Sequence, residues 1–294
     1  MRYLELGKQF RPSTSHVYPP FVNGRYMEEF VYDYFLEHPA PCDYIYIPVF
    51  WTNLQNHPGF QGMREKYNQL LRAAYDKEIK LAMNLHKQLP KYFTVVQHDD
   101  GVLLELPYGT LVFGACTGSI PLPLIYEDIT YYLSTHSALE KTLLASFVGS
   151  ITHPVRTAMM NAVKERDGII CQTTDTWTVS VPRHLADSFV DLTLRSKFCL
   201  APRGYGRSSF RFFEAIQLGT IPVYFWDDKK WLPYQELVDY YRFSICIQEK
   251  DIPRTREILL GISDERYEQM MVALKEVQDM FTLEWMCEYM KTRL

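Results

Sequence analysis

The sequence has no apolar run approaching the roughly 20 residues needed to cross a bilayer. Its opening stretch, MRYLELGKQFRPSTSHVYPP, lacks the apolar core of a secretion signal. A soluble, cytoplasmic chain without a membrane span is expected. There is no basic block or stripe either. With 31 Lys and Arg against 35 Asp and Glu, the net charge is −4, which excludes nucleic-acid binding driven by charge alone. The six cysteines, Cys42, Cys116, Cys171, Cys199, Cys246 and Cys287, form no Cys-x-x-Cys pair and no Cys/His cluster. Neither a zinc site nor a redox motif is indicated, and buried free thiols in a reducing compartment are expected. Internal repeats and low-complexity tracts are absent. So is the phosphate-binding pattern Gly-x-x-x-x-Gly-Lys-Ser/Thr. The dinucleotide pattern is incomplete, because Gly204-x-Gly206 is followed by Ser209 where a third glycine belongs.

What is present is a chain of 294 residues, 47% hydrophobic and 15% aromatic, enough for one large or two medium cores. The first half is rich in tyrosine and proline. CDYIYIPVFW, KYFTVVQH and GTLVFGA read as strands, and residues 63–89 carry helical periodicity. Tyr44, Tyr46, Trp51 and Tyr108 offer a sugar-stacking platform, although core packing is the commoner fate of such residues. The second half alternates regularly. LLASFVGS, IICQTT, KFCLAP and TIPVYFW are strands, and the helices PVRTAMMNAVKERDG, LADSFVDLTLRS and SSFRFFEAIQLG stand between them. Such alternation predicts a parallel sheet with right-handed crossovers, hence an α/β fold in two lobes divided near residue 140.

Ligands of open α/β sheets bind where a strand gives way to the next helix. Here that junction is APRGYGRSSF. Gly204 and Gly206 allow positive φ and close backbone approach. Ser208 or Ser209 suits the helix N-cap. The free N–H groups and positive dipole end of the helix favour an anion, and Arg203 adds a planar fork suited to phosphate. Glu214 shares a helix face with Phe210 and carries two oxygens able to accept from ribose hydroxyls. Gly219 is the expected residue just past the helix. The same residues also permit a purely structural reading, in which Arg203, Arg211 and Glu214 form an ion-pair set and the glycines only make a turn.

The stretch from Ser196 to Asp228 resembles the signature region of the exostosin-like glycosyltransferases, glycosyltransferase family 47. Ser196, Lys197, Phe198, Cys199, Leu200, Pro202, Arg203, Gly204, Gly206, Ser209, Arg211, Glu214, Ala215, Gly219, Ile221, Pro222 and Val223 carry the match. LLASFVGSITHPVRTAMM, VVQHDDG and PYQELVDYYRFSICIQEKDI are similar more weakly, so the resemblance extends over residues 90–275. It implies a GT-B fold, with two Rossmann-like lobes and a cleft between them. Residues 1–140 would be the acceptor-side lobe and 141–275 the nucleotide-sugar-binding lobe. A C-terminal helix in 276–294 would pack back on the first lobe. It implies a UDP-sugar donor, a glycan acceptor, inversion at the anomeric carbon and no resident cofactor. β-Xylosyl, β-glucuronosyl and β-galactosyl transfer are the candidate reactions. The lack of the anchor and stem of most eukaryotic members is more similar to soluble viral or bacterial ones.

Inverting transfer needs a base for the acceptor hydroxyl and positive charge on the leaving diphosphate. No Asp-x-Asp metal motif occurs, so metal-independent stabilisation by arginines and helix N–H groups is expected. Arg203, Gly204, Gly206, Ser208, Ser209 and Glu214 are the expected donor-binding residues. Arg156, near a helix start after FVGS, is expected to reach the same phosphates, or else to be a surface arginine. Asp99, with Asp100 beside it, is the expected base, and Asp-Gly at this point also reads as a turn. Asp227 and Asp228 read as a loop or helix cap. The alternatives are a non-catalytic nucleotide- or sugar-binding module and a GDP-sugar-dependent transferase.

Overall fold

The computed structural model describes residues 1–13, 25–126, 133, 135–164, 167–174 and 183–294. The elements of the first part run β1 (Arg2–Tyr3), α1 (Met27–Glu37), β2 (Tyr44–Tyr46), α2 (Trp51–Gln55), α3 (Phe60–Asn84), β3 (Lys91–Val96), β4 (Leu111–Gly114) and β5 (Ile120–Pro121). Next come β6 (Leu143–Ser150), α4 (Pro154–Val163), β7 (Ile169–Thr174), α5 (Arg183–Arg195), β8 (Ser196–Pro202), α6 (Phe210–Gln217) and β9 (Ile221–Trp226). The chain ends with β10 (Ile245–Gln248), α7 (Thr255–Leu260), α8 (Asp264–Val277) and α9 (Leu283–Thr292).

Packing divides the chain into two units. The described residues before Pro123, with Leu283–Leu294, form the first, and those of Pro123–Thr282 the second. The division therefore falls at 122/123 and 282/283, where the sequence suggested 140/141 and 275/276. The reason is local. Tyr126 and Leu133 are buried against Val148, Phe189 and Ala215, so the stretch before residue 140 feeds the second core.

The first unit is built on a parallel sheet in sequential order, β1-β2-β3-β4-β5. Ile45, Ile47, Val49, Trp51, Tyr92 and Val96 lie in its core with Leu71 and Tyr75 of α3. Tyr46 and Trp51 are fully buried, and Tyr46 stacks on Phe93 with centroids 4.9 Å apart. Core packing thus claims these two, while Tyr108 is wholly exposed. α9 packs on α1, where Tyr34 Oη donates to Glu288 Oε1 at 2.5 Å and Lys291 Nζ lies 5.0 Å above the Tyr34 ring.

The second unit is a doubly wound parallel sheet in the order β10-β9-β8-β6-β7. Counted within the unit and read from the β7 edge this is 2-1-3-4-5, and the order reverses between β6 and β8. Both faces are covered, so β8 and β9 are apolar almost throughout. Alternation sorts their side chains. Phe198 and Leu200 pack with Val155, Met159 and Val163 of α4 and with Met270 of α8. Cys199 faces the other way, into Leu192 and Leu194 of α5 and Ala215 of α6. Each fully buried Leu, Phe or Val contributes roughly 1.5–3 kcal/mol. α4 ends at Val163, short of Gly168, which turns the chain into β7 at φ 79°. Gly219 follows α6 at φ 63°, a left-handed position that favours glycine, as the sequence predicts.

Candidate functional site

Between β6 and β8 the chain leaves the sheet to opposite sides, which opens a crevice at their carboxyl ends. After Ser150, His153 caps α4. Its extended backbone is followed by Pro154 at the first helical position, and its Nδ1 accepts from Val155 N–H at 3.3 Å. Arg156 stands one turn in and bridges the crevice. Its Nη1 donates to Ser150 O at 2.7 Å, its Nε to Arg203 O at 2.9 Å and its Nη2 to Pro202 O at 3.5 Å. It is therefore a clamp between two strand ends rather than a free surface cation. Gly204 makes room for it, because a Cβ there would stand 3.1 Å from Arg156 Nη2.

The loop after β8 differs from expectation in one respect. Neither Gly204 nor Gly206 is among the glycines at positive φ. Close approach, not backbone handedness, accounts for Gly204. Arg203 is 9% exposed, and its fork is engaged. Nη1 donates to Asp227 Oδ1 at 2.5 Å and Asp228 Oδ1 at 3.0 Å, and Nη2 to Tyr205 O at 3.0 Å. Its buried Nε has no partner. Arg207 Nε donates to Asp228 Oδ2 at 2.8 Å, and this bond holds the Asp228 carboxyl far below the usual carboxylate range. Tyr224, buried on β9, anchors the loop by donating to Arg207 O at 2.8 Å and accepting from Trp231 N–H at 3.1 Å. His153 Nε2 faces Asp227 Oδ2 at 3.7 Å. Burial, then Arg203, hold this imidazole below its ordinary pKa, and Arg156 adds to them. Asp227 and Glu249 oppose the shift.

Ser209 takes the N-cap position of α6, with extended backbone, but its side chain makes no capping bond. Its Oγ is buried without a partner. Ser208 beside it is also buried. Further along, Phe210, Phe213, Glu214 and Gln217 share one face of α6 and line a narrow crevice with Leu124, Ile125 and Tyr126. Tyr126 stacks on Phe210 with centroids 4.0 Å apart. Glu214 is 4% exposed, and its Oε2 is paired with Arg211 Nη1. Arg211 also donates from Nε to Val148 O at 2.7 Å and lies 4.0 Å from the Phe189 centroid. Of the structural alternative read from the sequence, the Arg211–Glu214 pair is therefore present, while Arg203 pairs with Asp227 and Asp228.

Asp99 and Asp100 belong to the first unit, at the carboxyl end of β3. They sit in a turn in which Gly101 N–H donates to His98 O at 2.9 Å with Gly101 at φ 73°. Both carboxylates are exposed. His98 Nδ1 accepts from Asp100 N–H at 3.2 Å, and Cys116 Sγ lies 3.4 Å from Asp99 Oδ1. Burial holds His98 below its ordinary pKa, against the pull of Asp99 and Asp100. The turn rests on fully buried Glu28. Glu28 Oε1 accepts from Gln97 N–H at 3.0 Å, Thr52 N–H at 3.1 Å and Thr52 Oγ1 at 2.7 Å, while Oε2 has no partner.

The sequence reading missed His153, Arg207, Tyr224 and Glu28. His-Pro at a strand end was a usable helix-start signal. It also read Asp227 and Asp228 as a loop, without the arginines they hold. Among the described residues, no group of three His, Cys, Asp or Glu is placed to hold a metal ion.

Each of the two α/β units is thus built on a parallel five-stranded sheet. Residues 117–262 match the Exostosin GT47 domain. A probable glycosyltransferase of Arabidopsis thaliana is 34% identical over 150 residues, which cover 51% of this chain and 29% of that protein. A second from the same plant is 29% identical over 157 residues, covering 53% and 31%. The Exostosin-1 homolog of Caenorhabditis elegans is 34% identical over 92 residues, covering 31% and 24%. The matched stretch thus spans about a third or less of each relative. A solved glycosyltransferase from Rickettsia africae aligns with 90% of this chain and 78% of its own, at 9% identity and a TM-score of 0.39. No described helix is long and apolar enough to cross a membrane.

Proposed function

We infer that the chain is an inverting glycosyltransferase that moves a sugar from a UDP-sugar to a hydroxyl of a glycan acceptor. The observation that carries this is the crevice between β6 and β8. It lies inside the exostosin GT47 match and collects Arg156, Arg203 and the start of α6, with two buried donors, Arg203 Nε and Ser209 Oγ, left without partners. Buried donors left unpaired are costly, and a diphosphate would satisfy both. The residues proposed to hold it are Arg203, Gly204, Gly206, Ser208 and Ser209, with Arg156 fixing the two strand ends. Glu214 is the proposed ribose partner, through the oxygen that Arg211 does not take.

In the reaction, the acceptor oxygen bonds to the anomeric carbon as the bond to the diphosphate breaks. The electron pair leaves on the phosphate oxygen, and the acceptor proton passes to the carboxylate of Asp99. Arginine charge and helix N–H groups supply the leaving-group stabilisation without a metal. The transferred group is proposed to be β-xylosyl, β-glucuronosyl or β-galactosyl.

The test is UDP release from a panel of UDP-sugars with glycan acceptors, with and without EDTA, and NMR of the product's anomeric centre. Asp99→Asn is expected to lower transfer at least 100-fold, the typical contribution of a general base, with UDP affinity unchanged. Full activity of that variant removes Asp99 as the base. The engagement of Arg203 by Asp227 and Asp228 favours a second reading, a binding module without turnover. UDP binding with no release from any donor would support it.

A further inference from the structure

His153 is the one imidazole in the described part of the crevice, and the reading above gives it no task. We propose that His153 donates from Nε2 to the diphosphate of the donor and takes up a proton as that anion binds. The proposal rests on the donor-site reading just given.

Three observations carry it. First, the Val155 N–H donates to Nδ1, so the proton of the neutral ring stands on Nε2. Second, Nε2 is turned towards the residues of the crevice, 3.7 Å from Asp227 Oδ2 and beyond hydrogen-bond reach of it. The side chain is 19% exposed, open enough to meet a ligand. Third, among the described residues the charged groups acting on the ring come from four separate segments. They are Arg156 on α4, Arg203 after β8, Asp227 after β9 and Glu249 after β10. Burial and the two arginines favour the neutral ring. A diphosphate placed against the arginines offsets their charge and adds an anion beside Nε2, which favours the imidazolium.

The sign follows from linkage. The ring's pKa is higher with the anion bound, so binding takes up a proton between the free and bound values. Affinity strengthens as pH falls through that window, which begins below the ordinary histidine value of 6.5. A cationic donor also faces the oxygen on which charge develops as the sugar leaves.

UDP is the probe, titrated calorimetrically into the full chain at pH 6 and pH 8, each in two buffers of different ionisation enthalpy. UDP takes up protons itself in this range, so the comparison is with His153→Asn. Asparagine can keep the cap to Val155 N–H but has no ring to protonate. The expected result is an affinity ratio between the two proteins that grows about threefold or more from pH 8 to pH 6. The original chain also takes up the larger share of a proton at pH 6. Equal proton uptake and a constant ratio overturn the role of His153 and leave the donor site standing. Failure of the unsubstituted chain to bind UDP overturns the donor site and this proposal together. Should His153→Asn not fold, imidazole NMR of the original chain decides. One of its 8 histidines must show a pKa raised by UDP, by about one unit, and none rising overturns the proposal.

Discussion

Arg211 stands with its guanidinium between the Glu214 carboxylate and the Phe189 ring, while its Nε holds a β6 carbonyl. Removing Glu214 leaves that cation without its counter-charge. Glu214→Ala is therefore expected to destabilise the fold by about 2–3 kcal/mol, less than a wholly buried pair costs because Arg211 is partly exposed. Urea unfolding measures it, and a change under 1 kcal/mol would show that the pair is not a structural tie. Glu28 provides a second test. Burial raises its pKa, so the folded state binds the proton more tightly than the unfolded state does. Stability is then lost as pH rises above the unfolded value of about 4.5. Glu28→Gln should remove that loss, making the variant relatively more stable at pH 7 than at pH 4 when both proteins are unfolded in urea. A gap between the two that does not change with pH contradicts this. At this scale the sequence exposed Arg203, Gly204, Ser209 and Glu214, because all four lie in one contiguous segment. Asp227, His153 and Arg207 escaped it as partners, because their pairings join segments that only the strand order brings together.

The start of α6 is a helix end without its usual cap. Ser209 has the cap backbone but not the cap bond. Loss of a working serine cap costs about 1 kcal/mol. Here Ser209→Ala should leave the fold as stable or raise its stability by about 1 kcal/mol, since it removes a buried hydroxyl whose lack of a partner is costly. The same variant should weaken UDP binding at least several-fold. A stability loss near 1 kcal/mol with unchanged UDP affinity would make Ser209 a cap after all. The junction of β8 with α4 gives the complementary case. In Gly204→Ala the new methyl meets Arg156 Nη2, whose guanidinium is pinned by three carbonyls. Thermal unfolding should show a loss of about 1 kcal/mol or more. An unperturbed midpoint would mean that the clamp yields freely. The sequence suggested glycine here for positive φ and for close backbone approach; the structure uses only the second, and the group that comes close is Arg156.

Over the whole molecule, the alternation of strands and helices was legible because parallel strands covered on both faces become apolar runs. Strand order was not. Nothing in the β6 or β8 sequence states that β7 lies outside and β8 inside, yet this order makes the crevice. The division at residue 122 was also hidden, because Tyr126 and Leu133 join the second core across long separations. Two units with separate cores give ligand binding a regional signature. UDP should slow amide exchange in the β6–α4 and β8–α6 segments of the second unit. The measurement that tests the central claim most directly is the crystal structure of the chain with UDP. The account predicts phosphate oxygens within hydrogen-bond distance, about 3.2 Å, of Arg203 Nε, Ser209 Oγ and His153 Nε2. UDP bound elsewhere, with those three atoms still unoccupied, would contradict it.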